Sequence, residues 1–142
     1  MNAHTATEPS AMELLERMFA VEMRFLELPE ADPDLLATAF HPDVVVHEPA
    51  SLPYAGDWRG LGGVGRLFRT MHETWSELAV DGMQAAKSRD TVFMACTLRL
   101  TARRNGTVIE QPFAEVLRFE GGRLIEGTPF YYDTAAIMAA LA

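Results

Sequence analysis

A chain of 142 residues suits one domain, since a second packed core needs roughly another hundred residues. With 49% hydrophobic and 23% charged residues, the composition is that of a compact globule and not of a disordered chain. Twelve Lys and Arg against twenty Asp and Glu give a net charge of −8, which argues against a nucleic-acid partner held by its phosphates. Cys96 is the only cysteine, so an internal disulfide and a cysteine-paired metal site are excluded. No apolar run approaches the roughly 20 residues of a membrane span. The start, Met1-Asn2-Ala3-His4-Thr5, lacks a basic region followed by an apolar core, so the expected location is the cytoplasm. Residues 1–9 read as a flexible N-terminus and 10–142 as a single folded unit.

Residues 11–28 carry a helical pattern, with Met12, Leu15, Phe19 and Leu26 near one face. Glu13, Glu16 and Arg17 fall mostly on the other, and the early acids, Glu22 and Glu27 among them, read as solvated charge. Ser10 with Glu13 forms a capping box. Asp32-Pro33 opens a second, short helix that ends before Pro42. Asp43–Glu48 reads as a strand because Val44, Val45 and Val46 favour a pleated surface. Pro49–Gly60 is a loop of turn formers, and a third helix covers about 62–77.

From Leu78 the period changes to two. Met94, Cys96, Leu98, Leu100 and Ala102 share one face, and Thr97, Arg99, Thr101 and Arg103 the other. Asn105-Gly106 and Gly121-Gly122 mark hairpins, and a last short helix follows Asp133-Thr134. Sequential hairpins make the sheet antiparallel and the class α+β. One sheet face covers the helices, and the other is left to water or to a second subunit.

Several motifs carry no function. Gly60-Leu61-Gly62-Gly63-Val64-Gly65 matches G-x-G-x-x-G literally, but it follows a proline-rich loop instead of a buried strand. Its glycines read as a loop entering a helix packed closely on the sheet. His4, His41, His47 and His72 make no close pair at metal-ligand spacing, and neither metal nor cofactor is expected.

The informative residues are acids that interrupt apolar faces. Val44, Val46 and Glu48 share one side of a strand, as do Phe113, Glu115, Leu117 and Phe119. If those sides face the helices, two carboxylates enter an apolar cavity, where burial raises their pKa and sets them up as proton acceptor and hydrogen-bond donor. Glu48 could instead reach water at the strand end, or pair with His47 or an arginine. Glu115 could point outward, with Ala114 and Val116 inside. Asp133 fits either an acid/base role or a helix N-cap. Tyr54, Trp58, Phe68, Trp75, Phe113 and Tyr132 are candidate substrate contacts, with ordinary core packing as the alternative.

The order helix–helix–helix–sheet, with Val46-His47-Glu48-Pro49, Trp58-Arg59-Gly60, the run Glu115–Ile125 and the ending Tyr131-Tyr132-Asp133, resembles the nuclear transport factor 2-like superfamily. Within it the chain is most similar to the SnoaL-like polyketide cyclase and ketosteroid isomerase group, over about residues 10–140. The resemblance implies a conical barrel, in which N-terminal helices pack in a curved, mainly antiparallel sheet around a deep apolar pocket, and often a homodimer. It places an isomerase-type base on Glu48, a protonated acid of an oxyanion hole on Glu115 and a cyclase-type acid/base on Asp133. Where the isomerases carry a tyrosine on the first helix, this chain reads Met23-Arg24-Phe25. The expected activity is cofactor-free proton transfer on a small apolar carbonyl compound. The competing expectations are a binding protein that uses the same pocket without chemistry, and a dimeric scaffold whose pocket is packed core.

Overall fold

The computed structural model describes residues 8–142. Most of the expected N-terminal segment 1–9 lies outside the described residues; Pro9 accepts a 2.7 Å hydrogen bond from Lys87 Nζ. Helix α1 (Ala11–Glu27) starts at the Ser10/Glu13 capping box, with Glu13 N donating to Ser10 Oγ at 3.1 Å and Ser10 N to Glu13 Oε1 at 2.9 Å. Two of the orphan amides at the helix start are thereby satisfied. A 3-10 helix (Pro33–Thr38) follows, capped by the Asp32 carboxylate.

Six strands form one sheet in the order β2-β1-β6-β5-β4-β3. They are β1 (Phe40–Glu48), β2 (Gly56–Arg59), β3 (Trp75–Ser88), β4 (Thr91–Ala102), β5 (Val108–Glu120) and β6 (Arg123–Tyr131). Helix α2 (Gly60–Thr74) lies between β2 and β3, and α3 (Thr134–Ala140) ends the chain. All pairings are antiparallel except β1 with β6. The N-terminal helices pack in a curved, mainly antiparallel open sheet, as expected, with β2 and β3 as its edges. Among the described residues no helix is long and apolar enough to cross a membrane.

Two elements differ from their sequence readings. The loop over 49–60 contains β2, whose four residues pair with Val45–Glu48 and are too few to show a period. Helix α2 stops at Thr74, and Trp75 is the first residue of β3, buried against the core. The glycine-rich run packs α2 on both the sheet and α1: a Cβ on Gly63 would stand 3.4 Å from the Trp58 backbone of β2. A Cβ on Gly65 would stand 3.1 Å from the Phe25 ring, and Gly60 supplies the positive φ (+73°) that turns β2 into the helix.

The core lies between α1, α2 and the inner sheet face. Leu15, Phe25, Leu36, Phe40, Val64, Leu67, Leu100 and Leu117 are all buried there. Each such side chain contributes about 2 kcal/mol of transfer free energy. The alternation read from β4 holds: Met94, Leu98, Leu100 and Ala102 face in, with Cys96 half-buried beside them.

The outer face carries a charged row. His47 Nδ1 lies 2.7 Å from Asp57 Oδ1 and its Nε2 lies 2.8 Å from Glu126 Oε2, while Arg118 reaches Glu126 at 3.5 Å. These two carboxylates raise the His47 pKa, and the row ties β2, β1, β6 and β5 together across their backbone ladders.

Candidate functional site

A cavity of about 100 Å³ opens between α1, α2 and the inner sheet face. Its walls are apolar, with Met18 and Phe19 from α1, Phe68 and Met71 from α2, and Val46, Met94, Phe113 and Pro129 from the sheet. Three carboxyl groups interrupt them: Glu22 of α1, Glu48 of β1 and Glu115 of β5. Among the described residues no Lys, Arg or His lines the cavity.

Each acid is placed by a local rule. On β1, Val44, Val46 and Glu48 alternate inward, while His47 points out to Asp57 and Glu126 and leaves Glu48 without an imidazole partner. On β5, Phe113, Glu115, Leu117 and Phe119 keep the same parity. The Glu115 carboxyl rests on β6 at Gly127, where a Cβ would stand 2.9 Å from its Oε2. Only a residue without a Cβ leaves that carboxyl its position. On α1, Glu22 continues the stripe Leu15, Met18, Phe25 one turn apart along the buried face, which is why it points inward.

Burial without a cation makes ionisation costly for all three. Desolvation raises Glu48 to about 7, partly offset by a 3.4 Å hydrogen bond from the Tyr131 hydroxyl. Desolvation and then the charge of Glu48 raise Glu22 to about 7. Glu115 goes highest, to about 8, by desolvation and then the charges of Glu48 and Glu22. The Tyr131 hydroxyl is held well above its ordinary value by burial and by Glu48, so it stays a donor. Near neutral pH the cavity therefore holds carboxyls that both accept and donate protons, beside a fixed phenol donor.

The other expected site residues divide. Phe68 and Phe113 line the cavity. Trp75 lines a second, outer chamber of about 510 Å³, which shares Glu22, Phe68, Met71 and Leu78 with the inner one. Tyr54 lies outside the cavity wall: its hydroxyl accepts a 2.9 Å bond from Trp75 Nε1 in the core, and its carbonyl accepts one from Trp58 Nε1. Trp58 is thereby committed to the β1–β2 loop. Tyr132 is 76% exposed, and Tyr131 takes the inward place. Asp133 is exposed and caps α3, accepting from Ala136 N at 3.0 Å, which is the helix-cap alternative and not a cavity acid. Gln111 brackets the same turn with two hydrogen bonds to the Asp133 backbone.

Two functional candidates were not visible as such in the residues. Glu22 sat within an acidic helix segment, although its spacing from Met18 and Phe25 carried the signal. Tyr131 is displaced from a simple alternation by a bulge in β6.

Known proteins bear on this geometry. The family of SnoaL-like domains matches residues 15–127. No curated protein matches the sequence. An NTF2-like protein of unknown function from Burkholderia pseudomallei is 25% identical, with 95% of this chain and 99% of that chain covered and a TM-score of 0.75. A Jannaschia protein named for the SnoaL-like polyketide cyclases is 15% identical, with 99% and 97% covered and a TM-score of 0.73. A Catenulispora acidiphila protein with a ketosteroid isomerase-like fold, solved with trimethylamine, is 18% identical, with 88% and 87% covered and a TM-score of 0.66. The last two likenesses concern the fold. With the match spanning most of the chain, this protein belongs to the SnoaL-like domain family.

Proposed function

We propose that the protein is a cofactor-free acid/base enzyme of the isomerase or cyclase type, acting on a small, largely apolar carbonyl compound in the inner cavity. The observation that carries this reading is the meeting of Glu48 and Glu115 in one apolar cavity without a basic residue. Glu48, with the lower of the two raised pKa values, is the base that takes a proton α to the carbonyl. Glu115 stays protonated at neutral pH and donates a hydrogen bond to the developing enolate oxygen. Tyr131 holds Glu48 in place and supplies the phenol that α1 lacks. Return of the proton to another carbon completes an isomerisation, and attack of the enolate on a second carbonyl completes a cyclisation. Asp133 has no part in this scheme, being committed to the α3 cap.

The test is exchange of α-protons of a β,γ-unsaturated cyclic ketone into D2O, followed by proton NMR. Exchange above the buffer rate supports the reading. A second reading, ligand binding without chemistry, is favoured by the same apolar walls, and a structural neighbour that holds trimethylamine fits it. Ketone binding with no exchange selects it.

The proposal includes a homodimer through the outer sheet face. Phe93, Phe130 and Tyr132 are exposed there, and the cross-strand neighbours Ala95, Ala114 and Val116 join them into one apolar row. Light scattering tests this: the expected mass is twice that of the chain for the parent, and the chain mass for Phe93→Glu.

A further inference from the structure

The outer chamber has a chemistry of its own. Glu22 forms the neck, the only ionisable side chain among the described residues that lines both the inner cavity and the outer chamber. Beyond it the outer chamber is lined by two aromatic residues, Phe68 and Trp75, and three acids, Glu22, Glu27 and Glu77. One imidazole, His72, and no Lys or Arg lines it. Glu77 is already engaged by Arg99 Nε at 3.3 Å. The inner cavity is too small for more than a compact head group, while the outer chamber is about five times larger. A ligand whose head group reaches Glu48 and Glu115 past Glu22 leaves its body in the outer chamber.

The geometry points to an organic ammonium group as the occupant of the outer chamber, seated at the Glu22 carboxylate with Phe68 and Trp75 in the chamber wall. Resting on the acid/base reading of the inner cavity, this makes the substrate class a carbonyl compound that also carries a protonated or quaternary amine. The physical reason is the missing counterion. A half-buried carboxylate with aromatic rings and no Lys or Arg in its chamber gains from a cation that is itself weakly hydrated. An anionic ligand meets three carboxyl groups there.

The site also predicts proton linkage. Glu22 ionises only near neutral pH, because burial and the charge of Glu48 hold it up to about 7. The groups facing it are Glu48 and Glu115 through the neck and Glu27, His72 and Glu77 in the chamber. A permanent cation favours ionised Glu22, so its binding releases protons and tightens as pH rises.

Calorimetry with benzyltrimethylammonium, benzyl alcohol and benzoate tests this without requiring turnover. The charge of the first is fixed, so any pH dependence belongs to the protein. Between pH 6 and pH 8.5 its affinity is expected to rise about tenfold, following the ionisation of one group at about 7. At pH 8.5 it binds at least about tenfold tighter than benzyl alcohol, and benzoate does not bind. Glu22→Gln abolishes the pH dependence and the preference over the alcohol; Glu27→Gln, at the exposed rim, lowers the affinity without flattening the pH dependence. Equal binding of the ammonium and the alcohol, or an unchanged pH dependence in Glu22→Gln with its native melting transition, overturns the proposal. Ketone proton exchange without ammonium selectivity contradicts this inference alone; ammonium selectivity without exchange contradicts the acid/base reading alone.

Discussion

Glu48→Gln is expected to lower the rate of ketone α-proton exchange by about 10²–10⁴-fold, the usual contribution of a positioned general base. The substitution keeps the shape of the side chain and its 3.4 Å contact with the Tyr131 hydroxyl. What it removes is the only acceptor in the inner cavity whose ionisation falls at neutral pH and whose strand parity fixes it inward. The pH profile carries the second half of the prediction. Exchange rises as Glu48 ionises near 7 and falls as Glu115 loses its proton near 8, which gives a narrow optimum between the two. Because the two acids share a cavity, these midpoints belong to the pair. In Glu115→Gln the alkaline limb disappears, because an amide N–H does not titrate. A Glu48→Gln protein that exchanges at the parent rate contradicts the assignment of the base.

The second large effect concerns stability. The folded protein keeps protons on Glu22, Glu48 and Glu115 up to pH 7–8, whereas each carboxyl in the unfolded chain releases its proton near 4.5. Between those limits the native state binds more protons than the unfolded state, so stability is greatest at about pH 5 and falls as pH rises to 8. Glu115 alone corresponds to roughly 4 kcal/mol across that window. A buried Gln without a partner offsets about 2 kcal/mol of the gain from removing the charge. Glu115→Gln is therefore expected to raise Tm by roughly 5 °C at pH 8.5 and to leave it unchanged or lower at pH 5. Thermal melts at the two pH values read this directly. Equal destabilisation at both pH values contradicts a buried, proton-holding Glu115. His47 works in the same sense on the outer face: its pKa is raised by Asp57 and Glu126, so its share of stability is full below about 6.5 and is lost as the ring gives up its proton.

Much of this site was legible from alternation. Two-residue periodicity in Val44-Val45-Val46-His47-Glu48 and in Phe113–Phe119 places Glu48 and Glu115 on the side of their apolar neighbours, and the structure has both on the cavity wall. The open alternatives for Glu48 close for specific reasons: its side chain is buried away from water, no arginine lines its cavity, and His47 is already held by Asp57 and Glu126 on the opposite face.

Elsewhere the residues misled for physical reasons that can be named. Alternation counted from Leu124, which faces Phe119, carries Tyr132 to the inner face. A bulge at Ile125 inserts one extra residue into β6 and inverts the count, so Gly127, Pro129 and Tyr131 face in and Phe130 and Tyr132 face out. No turn residue announces that bulge. Helical spacing predicted α1 well in extent, but its buried arc is centred on Leu14, Leu15, Met18 and Phe25 instead of on Met12, Phe19 and Leu26. That rotation of part of a turn brings Glu22 inside. Trp75 continued the apolar spacing of α2 because the first inward residue of β3 follows the helix without a loop. Its indole serves the same core from a strand. The parallel pairing of β1 with β6 joins residues some eighty positions apart and has no local signal.

The most direct test of the account is a carbon-detected NMR titration of the glutamate side-chain carboxyls, assigned by single Glu→Gln substitution at 22, 48 and 115. Three carboxyls are expected to titrate at about 7, 7 and 8, far from the exposed glutamates, and removal of Glu48 is expected to lower the midpoint of Glu115. Midpoints between about 4 and 5 for all three, the range of an unperturbed carboxyl, contradict a shared apolar cavity and, with it, the proposed chemistry.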